Sequence, residues 1–421
     1  MPRVTVVADD LTGATDTGHS FAVRGAATRV AVRPLEGVAV DPNVRVVNTD
    51  SRYADPRTAA DWVTRAVDGF DGLVYDKVDS TLRGNVVVEA EAIMDATSAR
   101  FGIVAPAAPG LGRVTAGGHH LVDGRLLTDT EYANDANGPT TAHLPTLFSE
   151  STYPVVHLDI GTVASGREAV GEAIAGIAPD RAFVVCDVTH PRHLATVARA
   201  GASLDDRVVY VGSTGLAAEI PIPGDTDEPT VEPPVLDATT GGGALGIVGS
   251  VSDTTLQQLA ALPDDRVLSF GPESLLADPE GAGLRMGNRT VKRLTNGEST
   301  IVTAAPDRPA VERTLAVGDK KGLTEAEIRE RVTRALAGSA RRAIGDASGL
   351  FVTGGDVAMA VLDALDATEL VLSGEAVETG IPRSRIAGGP ADGLPVVTKA
   401  GGFGSPSTVI NCLDSLRGDD D

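Results

Sequence analysis

Residues 8–16, Ala-Asp-Asp-Leu-Thr-Gly-Ala-Thr-Asp, place Asp9, Asp10, Thr12 and Asp16 between an apolar run (Val4, Val6, Val7) and a helix-like stretch. Three carboxylates at a strand-to-helix turn cost free energy unless they meet a metal, a cationic partner or a hydroxylated ligand. Helix capping explains one acid or one threonine there, not three acids, and points the turn toward a ligand site. A second segment, Asp76-Lys77-Val78-Asp79-Ser80-Thr81-Leu82-Arg83-Gly84-Asn85, follows another apolar run. Its mixture of Lys77, Asp79, Ser80, Arg83 and Asn85 suits a small ligand bearing a carboxylate and hydroxyls, with Arg83 able to grip a carboxylate through two parallel bonds. Asn48-Thr49-Asp50-Ser51-Arg52 repeats the pattern more weakly through Asp50 and Arg52. Pro106 to Arg113 forms a stiff turn from which Arg113 can reach an anion.

Three further turns are rich in glycine: Gly249-Ser250-Val251-Ser252, Gly354-Gly355-Asp356-Val357 and Lys399-Ala400-Gly401-Gly402-Phe403-Gly404. Each follows an apolar run. In an open parallel sheet, turns of this kind share the carboxyl edge, where backbone amides and helix N-termini favour phosphate. The three together predict a nucleotide pocket, although no GxxxxGK[ST] is present. His119, His120, His143, His157, His190 and His193 lack metal-binding helical spacing and read as ordinary surface or loop histidines.

The elements that must hold these turns form an α/β pattern. Apolar runs at 3–8, 28–32, 44–48, 72–76, 101–105, 154–158, 182–187 and 207–212 alternate with alanine-rich stretches, and the pattern restarts at 244–248, 266–270, 349–353 and 394–398. A long helix is predicted over 323–345, opened by Thr324 with Glu327 as a capping box. The chain therefore reads as two α/β domains, each a largely parallel or mixed sheet flanked by helices, with the active site in the interdomain cleft. Residues 221–243, dense in proline, acid and glycine, are the expected linker between a domain at 1–220 and another at 244–417, and 419–421 reads as a disordered tail. No internal repeat is evident.

At 421 residues each half can bury a full core. The net charge of −22 argues against nucleic acid and anionic membrane surfaces as partners. Five lysines among 36 basic residues, with abundant acid, alanine and glycine, give a salt-adapted, halophile-like style. Two distant cysteines and the absence of a leader or a bilayer-length apolar stretch predict a soluble cytoplasmic protein.

Taken in order along nearly the whole chain, the segments at 8–16, 77–85, 106–113, 212–217, 249–252, 353–356 and 399–404 resemble the four-carbon acid sugar kinases. The resemblance implies ATP-dependent phosphorylation of the terminal hydroxyl of a tetronate such as erythronate, threonate or a 3-oxo-tetronate. It implies a sugar-acid-binding N-terminal domain, to which Asp10, Lys77, Asp79 and Arg83 belong. In the C-terminal domain Ser250, the run 354–357 and a glycine of 401–404 would contact ATP, with Ser252 and Lys399 in the same segments. Val78, Val251 and the turn at 134–139 depart from the family pattern. For phosphoryl transfer the expected base is Asp10, with Asp79 second, while Mg²⁺ is expected from the chemistry of ATP, its ligands unknown. Closure of the 221–243 hinge would exclude water. Homo-oligomerisation is left open. The rival readings are a non-catalytic sugar-acid sensor and a sugar-acid phosphate phosphatase.

Overall fold

Strands at the heart of each half are continuous apolar runs, as a parallel sheet covered on both faces requires. A computed structural model describes residues 2–32, 42–178, 180–224 and 242–417. Most of the expected linker, 225–241, and the acidic end lie outside the described residues. The chain divides into two units, Met1–Glu232 and Pro233–Asp421.

In the first unit the strands are β1 (Val4–Ala8), β2 (Thr28–Ala31), β3 (Val44–Asn48), β4 (Leu73–Lys77), β5 (Phe101–Ala105), β6 (Arg113–Ala116), β7 (His119–Val122), β8 (Arg125–Leu126), β9 (Val155–Leu158), β10 (Ala182–Cys186) and β11 (Val208–Gly212). The main sheet runs β2-β3-β1-β4-β11-β5-β10-β9, with every pairing parallel. All five residues of β1, β5 and β10 are buried. Phe183 of β10 packs 5.0 Å from the ring of Phe148 within the core. The short strands β6, β7 and β8 form a separate antiparallel sheet.

The second unit contains β12 (Leu245–Val248), β13 (Val267–Ser269), β14 (Thr300–Thr303), β15 (Leu350–Thr353), β16 (Glu369–Glu378), β17 (Ile381–Ala387) and β18 (Pro395–Lys399). Its order is β13-β14-β12-β15-β18-β17-β16, parallel as far as β18 and antiparallel thereafter. Helix Glu325–Ala343 opens with the predicted reciprocal cap between Thr324 and Glu327. Both cysteines, Cys186 and Cys412, are buried free thiols. Among the described residues, no helix is long and apolar enough to cross a membrane.

The two units repeat one plan. The first strand of each (β1, β12) sits between the third (β3, β14) and the fourth (β4, β15), so the direction of winding reverses beside it. Ligands bind open α/β sheets at such a reversal, beyond the carboxyl ends of the strands. The acid-rich turns leave β1, β3 and β4, and the glycine turns leave β12, β15 and β18.

Candidate functional site

Asp10 caps helix Leu11–Ala22: its Oδ1 accepts from the Gly13 amide at 2.9 Å. Asp9 has another partner. The Arg52 guanidinium donates through Nε (2.7 Å) and Nη2 (2.8 Å) to the two oxygens of Asp9, and through Nη1 (3.0 Å) to Asp10. Such a fork holds both carboxylates at fixed distance and angle. Arg52 is carried there by the turn after β3, where Asp50 takes a left-handed φ of 52° and donates its amide to Asn48. Asn85 donates to the carbonyls of Ser51 and Ala54, and Asn137 to that of Arg52, fixing the turn from two sides. Gly84, at φ 95°, covers this group so closely that a Cβ would lie 3.3 Å from Asp9.

Beyond β4, Lys77 is buried and donates to the Val78 carbonyl, and its ammonium would stand 2.9 Å from a Cβ placed on Gly13. Asp79 accepts from Arg83 at 2.6 Å and from Thr81. Burial works to raise the Asp79 acid, but Arg52 and Arg83 outweigh it and hold the group well below the usual carboxylate range. Arg83 stacks 5.6 Å from the centre of the Tyr132 ring, whose hydroxyl accepts from Arg113. Tyr132 thus meets one guanidinium over its ring and another at its hydroxyl. The Ser80 carbonyl accepts from His120, which is fully buried and pushed down to about 4 by that burial. His120 is therefore a neutral structural group, not the surface or loop histidine that its spacing suggested.

Remaining candidates of this unit play other parts. Asp16 accepts from Thr214 at 2.6 Å and ties helix Leu11–Ala22 to helix Thr214–Ala217. Thr12 is half-buried in the first turn of its helix, and Asp50 is exposed. Behind Asp9 stand two acids the motifs did not assign to the site: Asp76 at the end of β4 and Glu89 in the first turn of helix Val86–Thr97. Asp76 Oδ2 and Glu89 Oε1 are buried without a hydrogen-bond partner. Burial, then Asp9, pushes Glu89 up to about 7, and burial with Glu89 and Asp9 raises Asp76 well above the usual range. Glu89 is invisible as a signal because an acid in a helix's first turn is ordinary dipole chemistry.

In the second unit, Gly354 takes φ 98° and lies against Ser250, where a Cβ would stand 3.1 Å from the Ser250 amide. Helix Gly355–Ala364 begins there. Ser250, Gly354, Gly355, Asp356 and Val357 form one rim of a cavity of about 440 Å³. The rest of the lining is mostly apolar, with Val311 and Leu315 from helix Arg308–Lys320 and Ile328 and Val332 from helix Glu325–Ala343, and it also carries the charged Glu325 and Arg329. Val251 and Leu315, both exposed large apolar side chains, stand in this lining. A glycine rim facing an apolar slot fits a nucleotide, with phosphates at the amides and the base in the slot. The spacing of 328 and 332 on one helix reads equally as a core face, which is why sequence reasoning missed this wall.

Ser252 caps helix Asp253–Ala260 and donates to the Gly401 carbonyl at 2.6 Å. Thr255 donates to the same oxygen at 2.8 Å. Lys399 is 1% exposed and lies beneath the 400–404 turn, whose Gly402 and Gly404 are exposed. Among the described residues, no group of three His, Cys, Asp or Glu side chains could hold a metal ion.

Fold and turns define a protein with one unit suited to a polar small molecule and another suited to a nucleotide. Two family descriptions match accordingly: "Sugar-binding N-terminal domain" over residues 4–220 and "Nucleotide-binding C-terminal domain" over 245–409. The chain is 32% identical to a D-threonate kinase of Salmonella typhimurium, across 98% of this chain and 97% of that one. It is 31% identical to a D-erythronate kinase of Heliobacterium modesticaldum, across 99% and 97%. A crystal structure of Haemophilus influenzae protein HI1011 shares the fold at a TM-score of 0.77, with 19% identity and coverage of 98% and 100%. The chain belongs to the four-carbon acid sugar kinase family, and it is a kinase.

Proposed function

We propose that the protein transfers the γ-phosphoryl group of ATP to the terminal hydroxyl of a tetronate: erythronate, threonate or a 3-oxo-tetronate. The observation that carries this reading is the presence, in one chain of a kinase family, of two turn sets, each at the carboxyl edge of its own unit's parallel strands where the winding reverses. One is a carboxylate and guanidinium constellation around Arg52, and the other a glycine-rimmed apolar cavity. Phosphoryl transfer asks mainly for positioning and charge stabilisation. Arg83 and Arg113, both in contact with Tyr132, suit the substrate carboxylate. Asp10 is our base, because its carboxylate is the more exposed member of the Arg52 pair and can orient a hydroxyl. Asp79 is the weaker candidate: its charge is already held by Arg83 and Thr81, which leaves it a poor proton acceptor. Magnesium would arrive with the nucleotide phosphates and neutralise their charge; Asp356 and Glu325 are the carboxylates that line the cavity and could support it. Residues 1–220 and 244–417 are our sugar-acid and nucleotide domains.

The test is ADP release with Mg-ATP and a panel of erythronate, threonate and their 2- and 3-oxo forms. One strong responder establishes the activity and names the substrate. ATP binding without ADP release from any member would remove the tetronate assignment. Asp10→Asn that keeps full turnover would remove the base assignment, while Arg83→Ala is expected to raise KM for the acid.

A further inference from the structure

Lys399 is the most completely buried cation of the second unit's turns, and its ammonium is surrounded by carbonyl oxygens of its own turn. Nζ donates to Ala400 (3.0 Å), Gly401 (3.2 Å) and Phe403 (3.2 Å), with the Thr255 hydroxyl at 3.3 Å. In a planar trans peptide the carbonyl of one residue and the amide N–H of the next point in opposite directions. Drawing the carbonyls of 400, 401 and 403 onto the ammonium therefore turns the amides of 401, 402 and 404 away from it. These are the three glycines of the turn. Outward-pointing backbone amides in succession form a concave anion site. Gly401 abuts the glycine rim of the cavity, since a Cβ on it would meet Ser250 Oγ at 2.3 Å.

We infer that Lys399 is a positioning residue for the nucleotide phosphates: it does not touch ATP, but holds the 400–404 turn so that its glycine amides do. This rests on reading the second unit as the ATP binder. Removing the ammonium takes the one donor that the three half-buried carbonyls share; each keeps another, Ala400 the Phe403 amide, Gly401 Ser252 and Thr255, and Phe403 Gln258, so the turn loses its common anchor and loosens. Further contacts are independent of it: Gln258 donates to the carbonyls of Phe403 and Ser405, and Glu378 accepts from the Ser405 amide. The ionisable groups facing the ammonium are Cys412 on helix Thr408–Ser415 and Glu378 on β16, while helix Asp253–Ala260 presents only neutral Thr255 and Gln258. Burial brings Lys399 down to about 8, and burial raises Cys412, so Lys399 alone of these groups titrates just above neutrality.

The experiment measures ATP affinity by calorimetry, and amide exchange of the nucleotide-free protein, for wild type, Lys399→Met and Lys399→Arg. Lys399→Met is expected to bind ATP at least ten-fold more weakly. Its peptide 400–405 should exchange faster before nucleotide is added, because the Phe403 amide is bonded to the Ala400 carbonyl, one of the three that the ammonium holds. Weaker binding with unchanged exchange would make Lys399 a direct phosphate ligand and overturn the inference. Unchanged affinity would overturn it while leaving the nucleotide reading intact, and a wild type that does not bind ATP would overturn both. Should Lys399→Met not fold, the wild-type profile decides: affinity should fall between pH 7 and 9 as the ammonium loses a donor, and a flat profile refutes the role. In Lys399→Arg, which keeps its charge, that fall should vanish.

Discussion

Glu89 offers the sharpest test of the electrostatics in the first unit. Its carboxyl is 2% exposed, one oxygen has no hydrogen-bond partner, and burial and then Asp9 hold it at about 7 instead of 4.5. Between those values the folded protein keeps a proton that the unfolded chain releases, so stability falls as pH rises through the window and levels off above it. At about 1.4 kcal/mol per pH unit, the full effect is about 3 kcal/mol. Glu89→Gln removes the titration and should flatten the pH dependence of stability between 5 and 8. It should make the protein more stable than wild type at pH 8 by up to about 3 kcal/mol, with little difference near pH 5. The charge of Glu89 also helps to keep Asp76 raised, and the substitution relieves that neighbour too. The assay is urea unfolding at fixed salt, followed through the sole tryptophan, Trp62, on helix Pro56–Val67 of the first unit. Parallel stability curves for variant and wild type would refute the reasoning, since a carboxyl ionised at pH 5 in the folded state gives no such slope.

Three other outcomes follow from named contacts. Arg52→Met leaves Asp9 and Asp10 without their shared counterion and is expected to cost about 3–5 kcal/mol in urea unfolding, with a smaller loss as pH falls, since burial already raises Asp9 and a protonated carboxyl needs no counterion. Gly401→Ala places a methyl group 2.3 Å from Ser250 Oγ and should raise KM for ATP while leaving that for the sugar acid unchanged in steady-state assays. Thr324→Ala removes the reciprocal cap of helix Glu325–Ala343 and is expected to cost about 1 kcal/mol, read as a lower thermal midpoint without change in kcat.

The parallel strands were legible because strands buried on both faces must be continuously apolar, and β1, β5 and β10 are. The antiparallel pair β16 and β17 was not read: β16 carries exposed Glu375 and Ala376 among buried residues and has irregular register, so no clean alternation marks it. β14 escaped because four residues, Thr300–Thr303, carry too little pattern. Without repeating any sequence, the two units repeat a strand order, since winding depends on which strands pair and not on which residues they carry.

By itself the sequence determined which residues gather at the carboxyl ends of strands, and with them the family. Charged side chains are costly inside an apolar run, so acids, arginines and glycines collect at its end and in the turn that follows. Only the tertiary structure decided their division of labour. It paired Arg52 with both Asp9 and Asp10, sealed Glu89 and Asp76 behind them, and turned Lys399 inward onto carbonyls. Burial and hydrogen-bond direction depend on neighbours contributed by distant segments: Arg52 reaches Asp9 across 43 positions, and Thr255 reaches the Gly401 carbonyl across 146. No local pattern can encode a partner that far along the chain.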